Sequence, residues 1–218
     1  MRCVVPESSS PLFPSHWYLL STRHRRAQCH KTPRLLGCSS VYREIASIGI
    51  EATFDVGGVE CANIECEIRG NEEIVVIGAH YDSVIGSPGA DDNATGVAAG
   101  IELARRFTST KRTVRFVAFA NEEPPHFGTP HMGSFRYAQR CKERGENIVA
   151  MLSLETIGYF TDAPKSQQYP AMLNVIYPSV GNFIAFVSNL KSRALLRKAT
   201  HQFRQDSDLP SVTAHCPK

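Results

Sequence analysis

The apolar residues of this chain fall into short continuous runs that alternate with stretches of helical spacing. The run Ile74-Val75-Val76-Ile77 is typical of a strand that is covered on both faces of a sheet. We predict strands at residues 59–69, 72–80, 113–120, 147–154 and 182–188. The first is expected near a sheet edge, and the others are expected in the interior of the sheet.

Helical spacing separates these predicted strands. One helix is predicted at residues 41–49 with Gly49 at its end, and another is predicted to begin at Asn93 or Thr95. Further helices are predicted at 131–145 and 191–205, and no strand is expected after residue 208. Because strands alternate with helices, the pattern predicts an α/β protein, a three-layer α/β/α sandwich with a mixed, mostly parallel central sheet.

The first 40 residues lack this pattern. Prolines, serines and basic residues are frequent there, and Trp17-Tyr18-Leu19-Leu20 is the main apolar stretch. We expect residues 1–40 to be irregular or poorly ordered and residues 41–218 to form a single domain. A composition of 42% hydrophobic and 21% charged residues is close to globular averages and allows a real core.

Net charge, the length of apolar runs and cysteine content narrow the classes of protein to which this chain can belong. The formal net charge of +3 is too small to indicate a nucleic-acid partner. The chain contains no apolar run of about 18 residues, so no membrane-spanning helix is predicted, and its start shows no secretory signal. The seven cysteines form no C-x-x-C pair, and their odd number predicts neither a zinc knuckle nor a complete disulfide framework. Compartment and oligomeric state stay open.

Histidine and acidic residues follow the predicted strands in four short clusters. In chain order these are His80 and Asp82, then Asp91-Asp92, then Glu122-Glu123, then Glu155. Strand ends in an α/β sheet converge on one crevice, so residues far apart in the sequence meet there. One imidazole with several carboxylates is a ligand set suited to zinc or a neighbouring divalent ion. The pattern favours a metal-dependent hydrolase.

Each cluster taken alone also has a plain structural interpretation. In the same order these are a surface pair at a strand end, an Asx turn with a helix cap, a charged loop, and a glutamate in water beyond its strand. A buried Glu155 without a partner would be driven towards its neutral form, and a metal is one such partner. The metal interpretation therefore depends on the four clusters meeting at one place.

The four clusters and their flanks together resemble the M28 family of zinc metallopeptidases, which has aminopeptidase-like and glutamate-carboxypeptidase-like members. The matching stretches are residues 77–83 (IGAHYDS), 87–96 (SPGADDNATG), 120–123 (ANEE) and 152–155 (LSLE). The resemblance extends over about residues 41–205 and implies a phosphorylase/hydrolase-like sandwich that acts on a peptide or aminoacyl substrate.

The resemblance implies a centre of two zinc ions. Asp91 is then the expected bridging carboxylate, and the peptide bond from Asp91 to Asp92 is expected to be cis. His80 and Glu155 complete the protein ligands of one ion, and Glu123 holds the other.

The resemblance also implies the catalytic groups of a zinc-dependent exopeptidase of aminopeptidase type. Glu122 is the expected general base, which takes a proton from the metal-activated water and returns it to the leaving amine. Asp82 is expected to orient His80 by a hydrogen bond to one ring nitrogen.

The match is incomplete at the C-terminal end of the chain. The family has a second histidine ligand in a Ser-Asp-His context, whereas Asp206-Ser207-Asp208 has no histidine directly after it and His215 lacks that context. We therefore expect a truncated domain with one incomplete zinc site and reduced or absent activity. The alternative is a non-catalytic M28-like domain that serves as a binding or interaction module. A phosphatase is disfavoured, since no phosphate-binding glycine loop or basic pocket accompanies the carboxylates.

Overall fold

The computed structural model describes residues 48–50, 53–169 and 173–216, which form nine strands and three α-helices. The strands are β1 (Ile48–Ile50), β2 (Phe54–Val56), β3 (Val59–Cys61), β4 (Ile64–Ile68), β5 (Asn71–His80), β6 (Arg112–Phe119), β7 (Ile148–Ser153), β8 (Ile184–Asn189) and β9 (Ser211–Cys216). The helices are α1 (Ala94–Arg106), α2 (Gly133–Glu143) and α3 (Arg193–Asp206).

Five of the strands form the main sheet, in the order β1-β4-β6-β5-β7. β5 is parallel to both β6 and β7, whereas β4 is antiparallel to β6 and to β1. Every residue of β6 after Arg112 is buried, which explains the continuous apolar run that predicted this strand. Because β5, β6 and β7 are parallel, their carboxyl ends lie at the same edge of the sheet.

Two helices cover opposite faces of this sheet. Val97 of α1 belongs to a buried cluster with Phe116 of β6, whereas Tyr137 of α2 belongs to a second cluster with Val117 of β6. Adjacent residues of a strand point to opposite faces, so α1 and α2 lie on opposite sides of the sheet. The predicted α/β sandwich with a mixed central sheet is confirmed.

A charged cluster is buried under α2. Arg115 of β6 donates to Glu67 of β4 at 2.8 Å and to both carboxylate oxygens of Glu146, at 2.6 and 3.2 Å. Arg140 of α2 and the Tyr137 hydroxyl both donate to Glu65. The one arginine inside the apolar run of β6 is therefore paired, as a buried charge must be.

The C-terminal segment forms a unit of β8, α3 and β9. β8 and β9 are parallel to each other and form a separate two-stranded sheet within the described residues. Phe186 of β8 and Leu196 of α3 are buried at 2% and 1% exposure, and the Phe186 ring meets the Phe203 ring edge-on at 5.2 Å. The expectation of no strand after residue 208 was wrong, because β9 pairs with β8 there.

The N-terminal predictions fare less well. Gly49 lies in strand β1, so the predicted helix does not end there, and residues 41–47 lie outside the described residues, as do residues 1–40. The predicted strand 59–69 is divided into β3 and β4, because β3 pairs with β2 in a two-stranded sheet, whereas β4 pairs with β1 and β6 in the main sheet. Among the described residues, no helix has the length and apolarity needed to cross a membrane.

Candidate metal centre

His80 is the last residue of β5 and lies at the centre of the cluster, with a side chain that is 2% exposed. Its Nε2 atom lies 3.0 Å from Asp92 Oδ1 and 3.3 Å from Glu155 Oε1. The Glu122 carboxylate is 3.9 Å from the same nitrogen. A buried imidazole thus directs one nitrogen at carboxylates from three different segments of the chain.

Asp82 connects the end of β5 to the loop after β6. Its carboxylate accepts the backbone N–H of Glu122 at 3.1 Å and that of Glu123 at 3.0 Å. The other ring nitrogen of His80, Nδ1, lies 3.1 Å from the Asp82 carbonyl oxygen and 3.5 Å from its carboxylate. Asp82 therefore contacts His80 through both its carbonyl and its carboxylate, and its carboxylate also fixes the backbone of both glutamates.

Asp91 and Asp92 occupy different places. The Asp92 carboxylate faces His80, whereas Asp91 Oδ1 accepts the backbone N–H of Gly158 at 2.9 Å and lies 3.3 Å from the Thr95 hydroxyl. The structure does not bring Asp91 to the cluster. The non-prolyl cis peptide bond of the described residues lies between Asp92 and Asn93, one residue beyond its expected position.

Two groups of side chains have ligand atoms that all lie within 4.8 Å of one another. The first group is His80, Glu122 and Glu123, and the second is His80, Asp92 and Glu155. Four of the six residues predicted for the site, together with Asp92, therefore converge here. Asp82 belongs to neither group but contacts His80 and the backbone of Glu122 and Glu123. Neither group contains a second histidine among the described residues.

The pKa values show that the cluster has an excess of negative charge. Burial raises the pKa of Glu122 to about 8, with His80 opposing the rise and Glu155 adding to it. Burial and the charge of Asp92 raise the pKa of Glu123 to about 7. Burial lowers the pKa of His80, but the hydrogen bonds and charges of the surrounding carboxylates outweigh it and bring the pKa to about 11. One imidazole does not neutralise so many carboxylates, and a bound cation would.

The residues present fit a divalent cation. Glu123 Oε1 is buried and has no hydrogen-bond partner among the described residues, so a buried carboxylate oxygen is left without a donor. Such an oxygen is rare unless a water or an ion completes it. Imidazole nitrogen and carboxylate oxygens are zinc ligands, and Asp82 and the Asp92 neighbour Asn93 provide the supporting contacts that ligands usually have.

The remaining histidines near these segments do not join the cluster. His126 and His131 lie on the loop after Glu123, with ring centroids 6.1 Å apart, and belong to neither group. His215 lies on β9, where its Nδ1 atom is 3.3 Å from the Ser188 hydroxyl.

Sequence reasoning missed Asn93 as part of the site. It was considered only as a cap for α1, and it does cap this helix through its side-chain oxygen. The sequence signal that would have placed Asn93 in the site is its position directly after the acidic pair Asp91-Asp92. In the structure its side chain contacts both the start of α1 and the end of β7.

Fold and cluster together define a mixed α/β protein with a carboxylate-rich candidate metal centre at the carboxyl ends of its parallel strands. The model of peptidase family M28 matches residues 63–211, well over half of the chain. The chain therefore belongs to peptidase family M28, and the resemblance seen in the sequence is confirmed.

Individual relatives are similar over part of their length. "Uncharacterized protein YfbL" of Escherichia coli (strain K12) is 37% identical over 155 residues, covering 66% of this chain and 47% of that protein. A "Probable zinc metalloprotease" of Pyrenophora tritici-repentis is 34% identical over 113 residues, covering 46% of this chain and 25% of that protein. The chain thus spans less than half the length of these relatives.

A solved structure shares the fold. The crystal structure of BSAP, a zinc aminopeptidase from Bacillus subtilis, superposes with a TM-score of 0.51 at 21% identity, covering 73% of this chain and 36% of that one. At this identity the likeness shows the architecture alone.

Proposed function

We propose that this chain carries the catalytic site of a zinc-dependent exopeptidase of aminopeptidase type. The proposal depends on one observation, the convergence of Asp92, Glu122 and Glu155 on the buried Nε2 atom of His80. Membership of peptidase family M28 supports it, as do a relative named as a zinc metalloprotease and a fold neighbour named as a zinc aminopeptidase. The substrate class is a peptide or aminoacyl compound.

In this proposal the cluster would hold zinc: His80 and Glu155 would bind one ion, and Glu123 would bind a second. Asp92 would supply the shared carboxylate that the family resemblance implied for Asp91. Two features support Asp92: its carboxylate lies against His80, and its charge raises the pKa of Glu123. A carboxylate between two groups of ligands is suited to bridge two cations.

Bound zinc would supply a Lewis acid that lowers the pKa of water and polarises the peptide carbonyl. Glu122 lies beside this place with a side chain that is 23% exposed, so it contacts both the cluster and the solvent from which substrate arrives. Its carboxylate accepts the proton of the attacking water and delivers it to the leaving amine. Asp82 keeps Glu122 in place by accepting its backbone N–H.

The test is Glu122→Gln, assayed with a panel of aminoacyl p-nitroanilides and by zinc content after gel filtration. We expect the zinc content to stay at the wild-type level and kcat to fall by about 10²–10⁴-fold, the usual contribution of a general base. Glu72→Gln is the matched control, since Glu72 is exposed near the other end of β5. A wild-type protein that binds zinc and hydrolyses none of the panel would refute the peptidase proposal, and unchanged kcat in Glu122→Gln would refute the role of Glu122.

A further inference from the structure

Asn93 is 1% exposed and connects the start of α1 to the end of β7. Its Oδ1 atom accepts the backbone N–H of Gly96 at 3.1 Å and that of Thr156 at 3.2 Å. Its Nδ2 atom donates to the Leu154 carbonyl at 2.9 Å and to Glu155 Oε2 at 3.3 Å. The amide side chain therefore uses both of its N–H donors and both acceptor positions of its oxygen.

The two oxygens of the Glu155 carboxylate have different partners. Oε2 receives the Asn93 amide, while Oε1 points to the Nε2 atom of His80 at 3.3 Å. An ionised carboxylate with one oxygen held by a donor has a fixed orientation, and only its other oxygen is directed into the cluster.

Asn93 also connects Glu155 to Asp92. Asp92 is the residue directly before Asn93 in the chain. Asn93 is therefore bonded covalently to one residue of the cluster and hydrogen-bonded through its side chain to another, Glu155. The start of α1 lies close to the end of β7 at this point: a Cβ atom on Gly96 would lie 2.6 Å from the Leu154 carbonyl oxygen.

We propose that Asn93 is a positioning residue of the metal centre, which fixes the Glu155 oxygen that faces the metal and the spacing between Glu155 and Asp92. This inference rests on the proposed function only in taking Glu155 and Asp92 as zinc ligands. Loss of a residue that holds a ligand typically weakens metal binding by about 10–100-fold.

The simpler explanation of Asn93 is a helix cap. Asn93→Asp separates the two roles, because aspartate is as good an N-cap as asparagine and has nearly the same volume, but lacks the two N–H donors. The substitution also adds a negative charge beside the cluster. Charge alone would strengthen the binding of a cation, so the positioning role and a purely electrostatic effect predict opposite changes.

The probe is Zn²⁺ alone, titrated into the metal-free protein against a chromophoric chelator. We expect Asn93→Asp to raise the Kd for zinc by about 10–100-fold. Thr95→Val is the matched control, because the Thr95 hydroxyl also connects α1 to the loop after β7, through the Ile157 N–H, and contacts neither Glu155 nor Asp92 in the described structure. Its Kd is expected to equal that of the wild type.

A double-mutant cycle locates the effect at Glu155. In a Glu155→Gln background, Asn93→Asp should add little further loss, because the carboxylate that Asn93 positions is already gone. If Asn93→Asp does not unfold cooperatively in its metal-free form, Asn93→Ser replaces it, since serine also caps a helix but cannot reach Glu155.

Unchanged or tighter zinc binding in the folded variant would overturn the inference, as would a full additional loss in the Glu155→Gln background. Failure of both variants to fold would assign Asn93 a structural role and would overturn it as well. A protein that binds zinc but hydrolyses no peptide bond would refute the proposed peptidase function and leave these binding results unaffected.

Discussion

Asp91 and Asp92 are adjacent in the sequence and carry the same carboxylate, yet the structure directs them to different partners. Asp92 Oδ1 lies 3.0 Å from His80 Nε2, whereas Asp91 Oδ1 accepts the Gly158 N–H at 2.9 Å. The perturbation is therefore a pair of identical substitutions, Asp92→Asn and Asp91→Asn. Each keeps the shape of the side chain and removes its charge, so the two variants differ only in the position of the change.

The expected magnitudes follow from these contacts. Structural zinc sites bind with about 10–16 kcal/mol over four ligands, which is about 2.5–4 kcal/mol for each one. Asp92→Asn removes a ligand in our proposal, so zinc affinity should fall by about 10²–10³-fold. Asp91→Asn keeps an oxygen for the Gly158 N–H and contacts no proposed ligand, so its effect should stay below about tenfold, the lower limit for residues that hold a ligand. The Asp92 side chain is 53% exposed, and its substitution should leave the fold intact.

The assay is chelator competition for Zn²⁺ on metal-free protein, with thermal unfolding of the metal-free variants as the check on folding. A loss of affinity confined to Asp92→Asn supports the assignment. The opposite result, a loss confined to Asp91→Asn, would restore the sequence-based assignment of Asp91 as the bridging ligand. Equal losses would mean that neither contact in the structure distinguishes the two residues, and the reasoning from geometry would fail.

Three further predictions concern stability. The Glu146 side chain is 14% exposed and is hydrogen-bonded to Arg115. Burial alone would raise the pKa of Glu146, but the bond from Arg115 outweighs it and holds this pKa below the ordinary value. Glu146→Gln should therefore destabilise the fold by about 3 kcal/mol at pH 7. Because the pKa is lower in the folded state, this difference should be present above pH ~4.5 and disappear as pH falls through the folded pKa, so a constant difference in urea unfolding down to pH 3 would contradict it. Phe116 is 1% exposed, and Phe116→Ala should reduce the free energy of unfolding by about 3–5 kcal/mol in the same assay. Val175→Ala, at an 89% exposed position, should change it by less than about 0.5 kcal/mol, and equal losses would place the core elsewhere. Zinc at about 100 times its Kd should stabilise the protein by about 2.7 kcal/mol over an EDTA-treated sample, and unchanged thermal unfolding would argue against a bound ion.

The central strands were predictable because they are buried on both faces. The predicted strand at residues 113–120 corresponds to β6 (Arg112–Phe119), and the predicted strand at 72–80 corresponds to β5 (Asn71–His80). A strand in this position has no solvent face, so its sequence is a continuous apolar run bounded by polar residues. The same reasoning located the clusters, since polar residues next to such a run lie at the edge of the sheet.

The last strand was missed although its sequence carries a signal. Val212, Ala214 and Cys216 of β9 are partly buried, and Thr213 and His215 between them are exposed. This is the period of two that a half-buried strand shows. The run is short and contains polar residues. Its partner β8 is separated from it in the sequence by α3, so only the tertiary structure shows that the strand is paired.

The choice between Asp91 and Asp92 lay beyond sequence reasoning for a different reason. Either carboxylate suits a turn before a helix, and either suits a metal. The decision depends on Gly158, 67 residues further along the chain, whose backbone N–H donates a hydrogen bond to the Asp91 carboxylate. A contact of that kind depends on how α1 and the loop after β7 are placed, and one chain position gives no indication of it.

The contacts around the cluster explain how so many carboxylates are held together by the protein itself. Asp82 accepts two backbone N–H groups from the loop after β6, and Asn93 donates to the end of β7, so each strand end is connected to a neighbouring segment by a side chain. These connections involve backbone groups and would persist in metal-free protein. The geometry of the centre is therefore set by the sheet and α1, and metal binding has to overcome little rearrangement. The protein does not neutralise the excess negative charge of the cluster, which adds to burial in raising the pKa values of Glu122 and Glu123. A bound cation would neutralise this charge.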